Sequence, residues 1–166
     1  MKKIFLLVAL IATMFTQLLF AQETKSSTPA SLLPFYYSIK DALVNGDAAA
    51  TALKAGNFLK AANDLDIKSL SEADRNAFNS IHEKLAFDAR HISESKDIAH
   101  QREHFANFSA NFFKLAKAVN LAGQTVYYDY CPMKKIYWLS ADAAIRNPYF
   151  GNQMLTCGKI AETLKK

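Results

Sequence analysis

Two short sulfur-containing motifs near the end of the chain hold the residues best suited to chemistry. In the first, Cys131 and Met133 flank a proline. In the second, Met154 and Cys157 lie three residues apart. The proline disfavours helical geometry at Cys131, and in an extended segment residues two apart project from one face. A spacing of three puts Met154 and Cys157 on one side of a helical turn, provided that a helix begins near residue 152. We therefore expect two pairs of soft donor atoms that can converge.

Thiolate and thioether groups select soft metal ions such as Cu(I), whereas calcium and magnesium prefer oxygen ligands. The pattern therefore predicts a copper site with Cys131 and Cys157 as its main ligands and Met133 or Met154 completing it. Two alternatives remain open. Two cysteines in an exported protein often form a disulfide, which for a loop of this length contributes about 3 to 4 kcal/mol. The cysteines could also be free, buried thiols that simply pack.

The four histidines fall on the third and fourth predicted helices or their junction. His100 and His104 are one helical turn apart, a spacing that can hold a metal ion. A solvent-facing or helix-flank role is the alternative for both. His104 lies beside the apolar seam of Phe105 and Phe108, which makes it the better candidate, and we expect it as a possible further donor to the copper site.

The beginning of the chain is typical of an export signal. Lys2 and Lys3 precede an apolar run that ends at Ala21, so residues 1–21 are predicted to be a cleaved signal peptide. Residues 22–30 are polar and rich in Ser and Thr, which predicts a disordered linker. Residues 31–166 then form a single domain, which we expect to be periplasmic or secreted. Export also makes an oxidising compartment the default for the cysteines.

Apolar residues in the domain recur at helical spacing. The spacing predicts helices over residues 31–44 and 48–63, a third after the capping residues 69–74, and a fourth that Asp97 opens. Residues 126–130 and 137–139 are rich in strand-forming residues and indicate an aromatic loop or a short β-ribbon. A last helix is predicted over residues 152–164. The expected fold class is all-α, an antiparallel four-helix bundle with this aromatic loop or short β-ribbon and a C-terminal helix.

Composition excludes several classes of function. The net charge of +5 falls to +3 once Lys2 and Lys3 are removed, and the remaining lysines form no stripe with aromatic residues, so we expect no nucleic-acid partner. No nucleophile elbow, phosphate-binding loop or zinc-protease motif is present. We therefore expect a protein that is not an enzyme and that has no membrane span after signal cleavage.

Four phrases of the sequence are informative as a set. They are Phe35-Tyr36-Tyr37 with Lys40-Asp41-Ala42-Leu43, Asp97-Ile98 with Gln101-Arg102-Glu103-His104-Phe105, Tyr130-Cys131-Pro132-Met133, and Asn147-Pro148-Tyr149-Phe150-Gly151 with Met154-Leu155-Thr156-Cys157-Gly158. Together they resemble an exported, Bacteroidetes-type domain family of unknown function, number 3347, over nearly all of the mature chain. Related domains are attached to CusB-like adaptors of heavy-metal efflux systems, so the resemblance implies copper or silver handling.

The resemblance and the sulfur spacing lead to one functional expectation. The chain is expected to be a periplasmic protein that binds or buffers a soft metal ion, copper first, and passes it to an efflux or metal-assembly partner. The expected ligands are Cys131, Met133, Met154 and Cys157, with His104 as a further donor. The alternative is a disulfide-stapled interaction module of the envelope that binds no metal.

Overall fold

The computed structural model describes residues 28–121 and 123–165. The predicted signal peptide, residues 1–21, and residues 22–27 of the predicted linker lie outside the described residues. Pro29 and Ala30, at the end of that linker, are buried in a short 3-10 helix, Pro29–Leu32. The described chain therefore joins the hydrophobic core from its first residues.

Four α-helices follow, each packed against the next along the chain. They are α1 (Leu33–Asn45), α2 (Ala48–Asn63), α3 (Glu72–Glu94) and α4 (Ile98–Ala118). Gly46 ends α1 with a φ of 72°, a left-handed conformation that glycine adopts without strain. Asp47 caps α2, since its Oδ1 accepts a hydrogen bond from Ala50 N at 2.9 Å. The prediction of a four-helix region is confirmed, and α2 has both of its predicted bounds.

Aromatic rings fill the centre of the helical region. The Tyr36 ring lies 5.3 Å from that of Phe105 and 5.6 Å from that of Phe108, in both cases nearly parallel. Phe58 meets Phe108 edge to face at 4.8 Å. All of these side chains are fully buried. The apolar seam that contains Phe105 and Phe108 therefore lies on the face of α4 that packs into the core.

The chain then forms a three-stranded antiparallel sheet, so the expected all-α fold class is wrong. The strands are β1 (Thr125–Cys131), β2 (Ile136–Ser140) and β3 (Lys159–Lys165), in the spatial order β2-β1-β3. The predicted ribbon is present as β1 and β2. The predicted helix over residues 152–164 is wrong, because only Gly151–Gln153 forms a short 3-10 helix and the remainder leads into β3. The strand forms because β1 offers a second edge of backbone N–H and C=O groups, which β3 satisfies.

The hydroxyl group of Tyr36 joins the helices to the sheet. It lies 2.6 Å from Ser109 Oγ of α4, and it accepts a hydrogen bond from the backbone N of Leu139 in β2 at 3.0 Å. Tyr36 and Ser109 are fully buried, so no water replaces a lost partner. Burial and the nearby Tyr149 raise the pKa of Tyr36, which keeps the hydroxyl neutral. A single buried oxygen therefore holds α1, α4 and β2 together.

We expect Tyr36→Phe to lower the free energy of unfolding by about 1 to 3 kcal/mol, because the buried N–H of Leu139 loses its acceptor. Chemical denaturation followed by circular dichroism measures this. Tyr137→Phe is the matched control, since Tyr137 is 37% exposed, and its effect should be small. Equal stabilities of the two variants would contradict the role of the Tyr36 hydroxyl.

Candidate functional site: the cysteine pair

The β1–β2 hairpin positions the first cysteine. Cys131 is the last residue of β1, opposite Ile136 of β2, and its side chain is fully buried. The turn between the strands closes with a hydrogen bond from Lys135 N to Cys131 O at 2.8 Å, and Lys135 takes a positive φ of 58°. Because the chain reverses immediately after Cys131, Met133 lies in the turn and is 65% exposed.

Asn147 positions the second cysteine by joining the two ends of the loop formed by residues 147–158. Its Nδ2 donates a hydrogen bond to Cys157 O at 2.6 Å, and its backbone N donates to Leu155 O at 2.8 Å. Its Oδ1 accepts a hydrogen bond from Tyr149 N at 2.8 Å. The Asn147 side chain is fully buried, so these bonds are shielded from water. The backbone around Cys157 is therefore held from within the loop.

The thiols of Cys131 and Cys157 meet across the gap between the hairpin and this loop. The Cys131 thiol lies close enough to Cys157 to raise the pKa of that thiol, and neither cysteine is in a disulfide. Cys157 is half-buried, whereas Cys131 is fully buried. Partial burial raises the pKa of the Cys157 thiol, and the adjacent Cys131 raises it further. The Cys157 thiol is thus held in its protonated form and is accessible from solvent, and the Cys131 thiol lies buried behind it.

The two predicted methionines remain at the surface of the same segments. Met154 is 38% exposed and follows the short 3-10 helix, and Met133 is more exposed still. Cys157 N donates a hydrogen bond to Met154 O at 3.1 Å, so a turn, and not the predicted helix, separates these two residues. The structure therefore brings the cysteines together and leaves both methionines exposed at the surface, Met133 more than Met154.

His104 belongs to a different place in the fold. It lies on α4, and its Nδ1 is 3.0 Å from Oδ1 of Asp88 on α3. One ring nitrogen of His104 groups with those of His91 and His100, and the group includes neither cysteine. The predicted ligand set is thus divided between the cysteine pair and these histidines.

His91 and Asp88 are the neighbours of His104 that the sequence reasoning missed. The short connection between the third and fourth helices could have predicted them. Residues at the end of one helix and the start of the next come together when a short turn joins antiparallel helices. His91 stands in the last turn of α3, and His100 in the first turn of α4.

Within residues 28–121 and 123–165, no helix has the length and hydrophobicity that crossing a membrane requires.

Comparison with known proteins places the helical part of the chain in a family. The family model described as "Protein of unknown function (DUF3347)" matches residues 32–124, which is more than half of the chain. The match covers α1 to α4 and ends just before β1, so the resemblance extends over less of the chain than expected and leaves both cysteines outside it. Neither the curated proteins nor the solved structures contain a match.

Proposed function

This chain belongs to the DUF3347 family of proteins of unknown function, and we propose that it is an exported protein that binds Cu(I) through the thiolates of Cys131 and Cys157. The observation that carries the proposal is that the thiols of Cys131 and Cys157, which are distant in sequence, lie close enough to interact and form no disulfide. Two adjacent thiolates are a donor set that soft ions prefer over oxygen-seeking ones.

The unequal burial of the two cysteines suits uptake and release of an ion. Cys157 is accessible and meets the arriving ion first, and Cys131 then encloses it from the buried side. Both thiols lose their protons on binding, since the thiolate is the form that ligates. The exposed thioethers of Met133 and Met154 serve as weakly held ligands at the surface, where the ion exchanges with a partner.

The proposed biological setting is the periplasm, where the protein buffers copper and passes it to a heavy-metal efflux or metal-assembly protein. Supporting this setting are the signal-like residues 1–21 and the resemblance to domains attached to CusB-like efflux adaptors.

Anaerobic Cu(I) titration against a competing chelator tests the proposal. We expect the wild type to bind one ion and the Cys131→Ser, Cys157→Ser variant to bind it more than about 100-fold more weakly, since even outer-shell partners of a metal contribute about 10- to 100-fold. Met133→Leu with Met154→Leu should give a smaller loss. His104→Gln is the control that distinguishes a pure sulfur site from one that includes the predicted histidine.

Because neighbouring thiols can also form a disulfide, the same arrangement favours one alternative function, a disulfide-stapled interaction module that binds no metal. Mass spectrometry of protein isolated from the periplasm separates the two. A bound copper ion supports the metal site. A mass two hydrogens below that of the reduced chain, together with equal Cu(I) affinities of wild type and double variant, would replace the metal proposal with the stapled module.

A further inference from the structure

The turn between α3 and α4 carries a second group of metal-ligating side chains. Only residues 95–97 separate the two helices, so the end of α3 lies beside the start of α4. Asp97 caps α4, since its Oδ1 accepts a hydrogen bond from Ala99 N at 2.8 Å. The fully buried Gln101 amide donates to Ile92 O at 3.2 Å and to Ser95 O at 2.8 Å. These bonds fix the backbone that carries the histidines.

Three imidazoles converge on this hairpin. One ring nitrogen from each of His91, His100 and His104 lies within 4.8 Å of the other two. The rings of His91 and His104 stack with centroids 4.5 Å apart, and the His100 ring stands nearly perpendicular to that of His104 at 4.7 Å. His91 and His104 are half-buried and His100 is exposed, so the group opens to solvent on one side.

A buried carboxylate orients the innermost ring. Asp88 is 4% exposed, and its Oδ1 lies 3.0 Å from His104 Nδ1. When Nδ1 donates to this carboxylate, the neutral ring presents Nε2 as a free acceptor. A carboxylate behind a histidine is the arrangement that fixes ring orientation and tautomer in metal sites. The Phe87 ring lies 4.4 Å from that of His91 and gives this side of the group an apolar flank.

We propose that His91, His100 and His104 bind a divalent transition-metal ion of the Zn(II) class, in a site separate from the cysteine pair. Imidazole nitrogen suits zinc and its neighbours in the first transition row. Three protein ligands leave a fourth position for water or for a ligand from a partner. Tetrahedral zinc places its nitrogen ligands about 3.4 Å apart, so the rings close slightly around the ion. The exposed His100 side chain is free to make that movement.

Isothermal titration with Zn(II) alone, on tag-free protein carrying Cys131→Ser and Cys157→Ser, tests this site without the thiols. We expect one saturable site in that background. His100→Ala should weaken it by at least about 10-fold, and Asp88→Asn should weaken it by about 10- to 100-fold through loss of ring orientation. His82→Ala is the matched control, because His82 also lies on α3 but is outside the group, and it should leave Zn(II) affinity unchanged.

His100 is exposed, so its replacement should not unfold the protein, and a thermal melt of each metal-free variant verifies this. Zn(II) should raise the melting temperature of the background protein and of His82→Ala, and it should raise that of His100→Ala by less at the same Zn(II) concentration. Absence of saturable binding, or equal binding by His100→Ala and His82→Ala, would overturn the histidine site. If the wild type binds Zn(II) and the Cys131→Ser, Cys157→Ser protein does not, the thiols bind the ion, and the proposed histidine site is also overturned.

Discussion

Replacing Asp129 with asparagine should stabilise the metal-free, reduced protein by up to about 4 kcal/mol above pH 7 and by far less near pH 4. The carboxyl group lies in the middle of β1, opposite Trp138 of β2 and Ile160 of β3. It is fully buried, and among the described residues neither of its oxygens has a hydrogen-bond partner. A charge at this position loses its hydration and gains no hydrogen bond in return.

The sign of the effect follows from the pKa of this group. Burial raises the pKa of Asp129 from 3.8 to about 7, and the charge of Lys40 only partly opposes the rise. Below pH 4 the carboxyl is protonated in both the folded and the unfolded chain, so it contributes no difference. Between pH 4 and 7 the unfolded chain releases the proton and the folded chain keeps it, so stability falls as the pH rises. Above pH 7 the loss is complete, and asparagine avoids it because it carries no charge.

Urea denaturation at several pH values between 4 and 8 measures this effect as the difference between variant and wild type, which cancels the titration of the other groups. Asp64→Asn is the control, because Asp64 is exposed and its charge stays in water. A difference between Asp129→Asn and wild type that does not change with pH would show that the carboxylate finds a partner in the folded protein.

Local signals in the sequence were sufficient for the helices. Asn45, Gly46 and Asp47 form a stop and a cap that need no distant partner, which explains why the end of α1 was predicted to within one residue and the start of α2 was predicted correctly. The buried face of α4 was predicted equally well, because the spacing of apolar residues within one helix is enough to identify the side that packs into the core.

The last strand, β3, could not be predicted from local sequence signals. Met154, Cys157, Ile160 and Leu164 recur at spacings of three and four, which is typical of a helix. Whether this segment pairs as a strand depends on the free edge of β1, about thirty residues earlier in the chain, and such pairing leaves no local signal. The exposure of Ile160 in β3 shows that its apolar spacing did not report a buried helical face.

The candidate site also has a part that the sequence predicts and a part that depends on contacts between distant residues. The contact between Cys131 and Cys157 was expected from their chemistry, although the predicted helical turn at Met154 was wrong. His104 was predicted as a further donor to the sulfur ligands. Whether it lies near them depends on how α4 packs in the fold, and the spacing of residues within one helix does not give that information. Its neighbours come from α3, and only the hairpin geometry brings them within reach.

The cysteine pair depends on a close approach at the residue that follows Cys157. A Cβ atom at Gly158 would lie 2.7 Å from Cη2 of Trp138 and 3.1 Å from the backbone O of Tyr130. Trp138 is fully buried and the Tyr130 oxygen belongs to β1, so neither can move aside easily. An added methyl group must therefore push the loop, and Cys157 with it, away from the hairpin.

We expect Gly158→Ala to lower the free energy of unfolding by about 1 to 3 kcal/mol, the usual cost of overpacking a filled site. Its Cu(I) affinity should fall as well, because the two thiols separate. Gly56→Ala is the matched control, since a Cβ at Gly56 in α2 meets nothing within 4 Å. That change should stabilise the helix by about 0.5 to 1 kcal/mol and leave Cu(I) binding unaltered. Chemical denaturation measures the free energy of unfolding of both variants, and Cu(I) titration measures their affinity for the ion. If Gly158→Ala loses stability but retains wild-type affinity, the thiols do not bind the ion as a pair positioned by this loop.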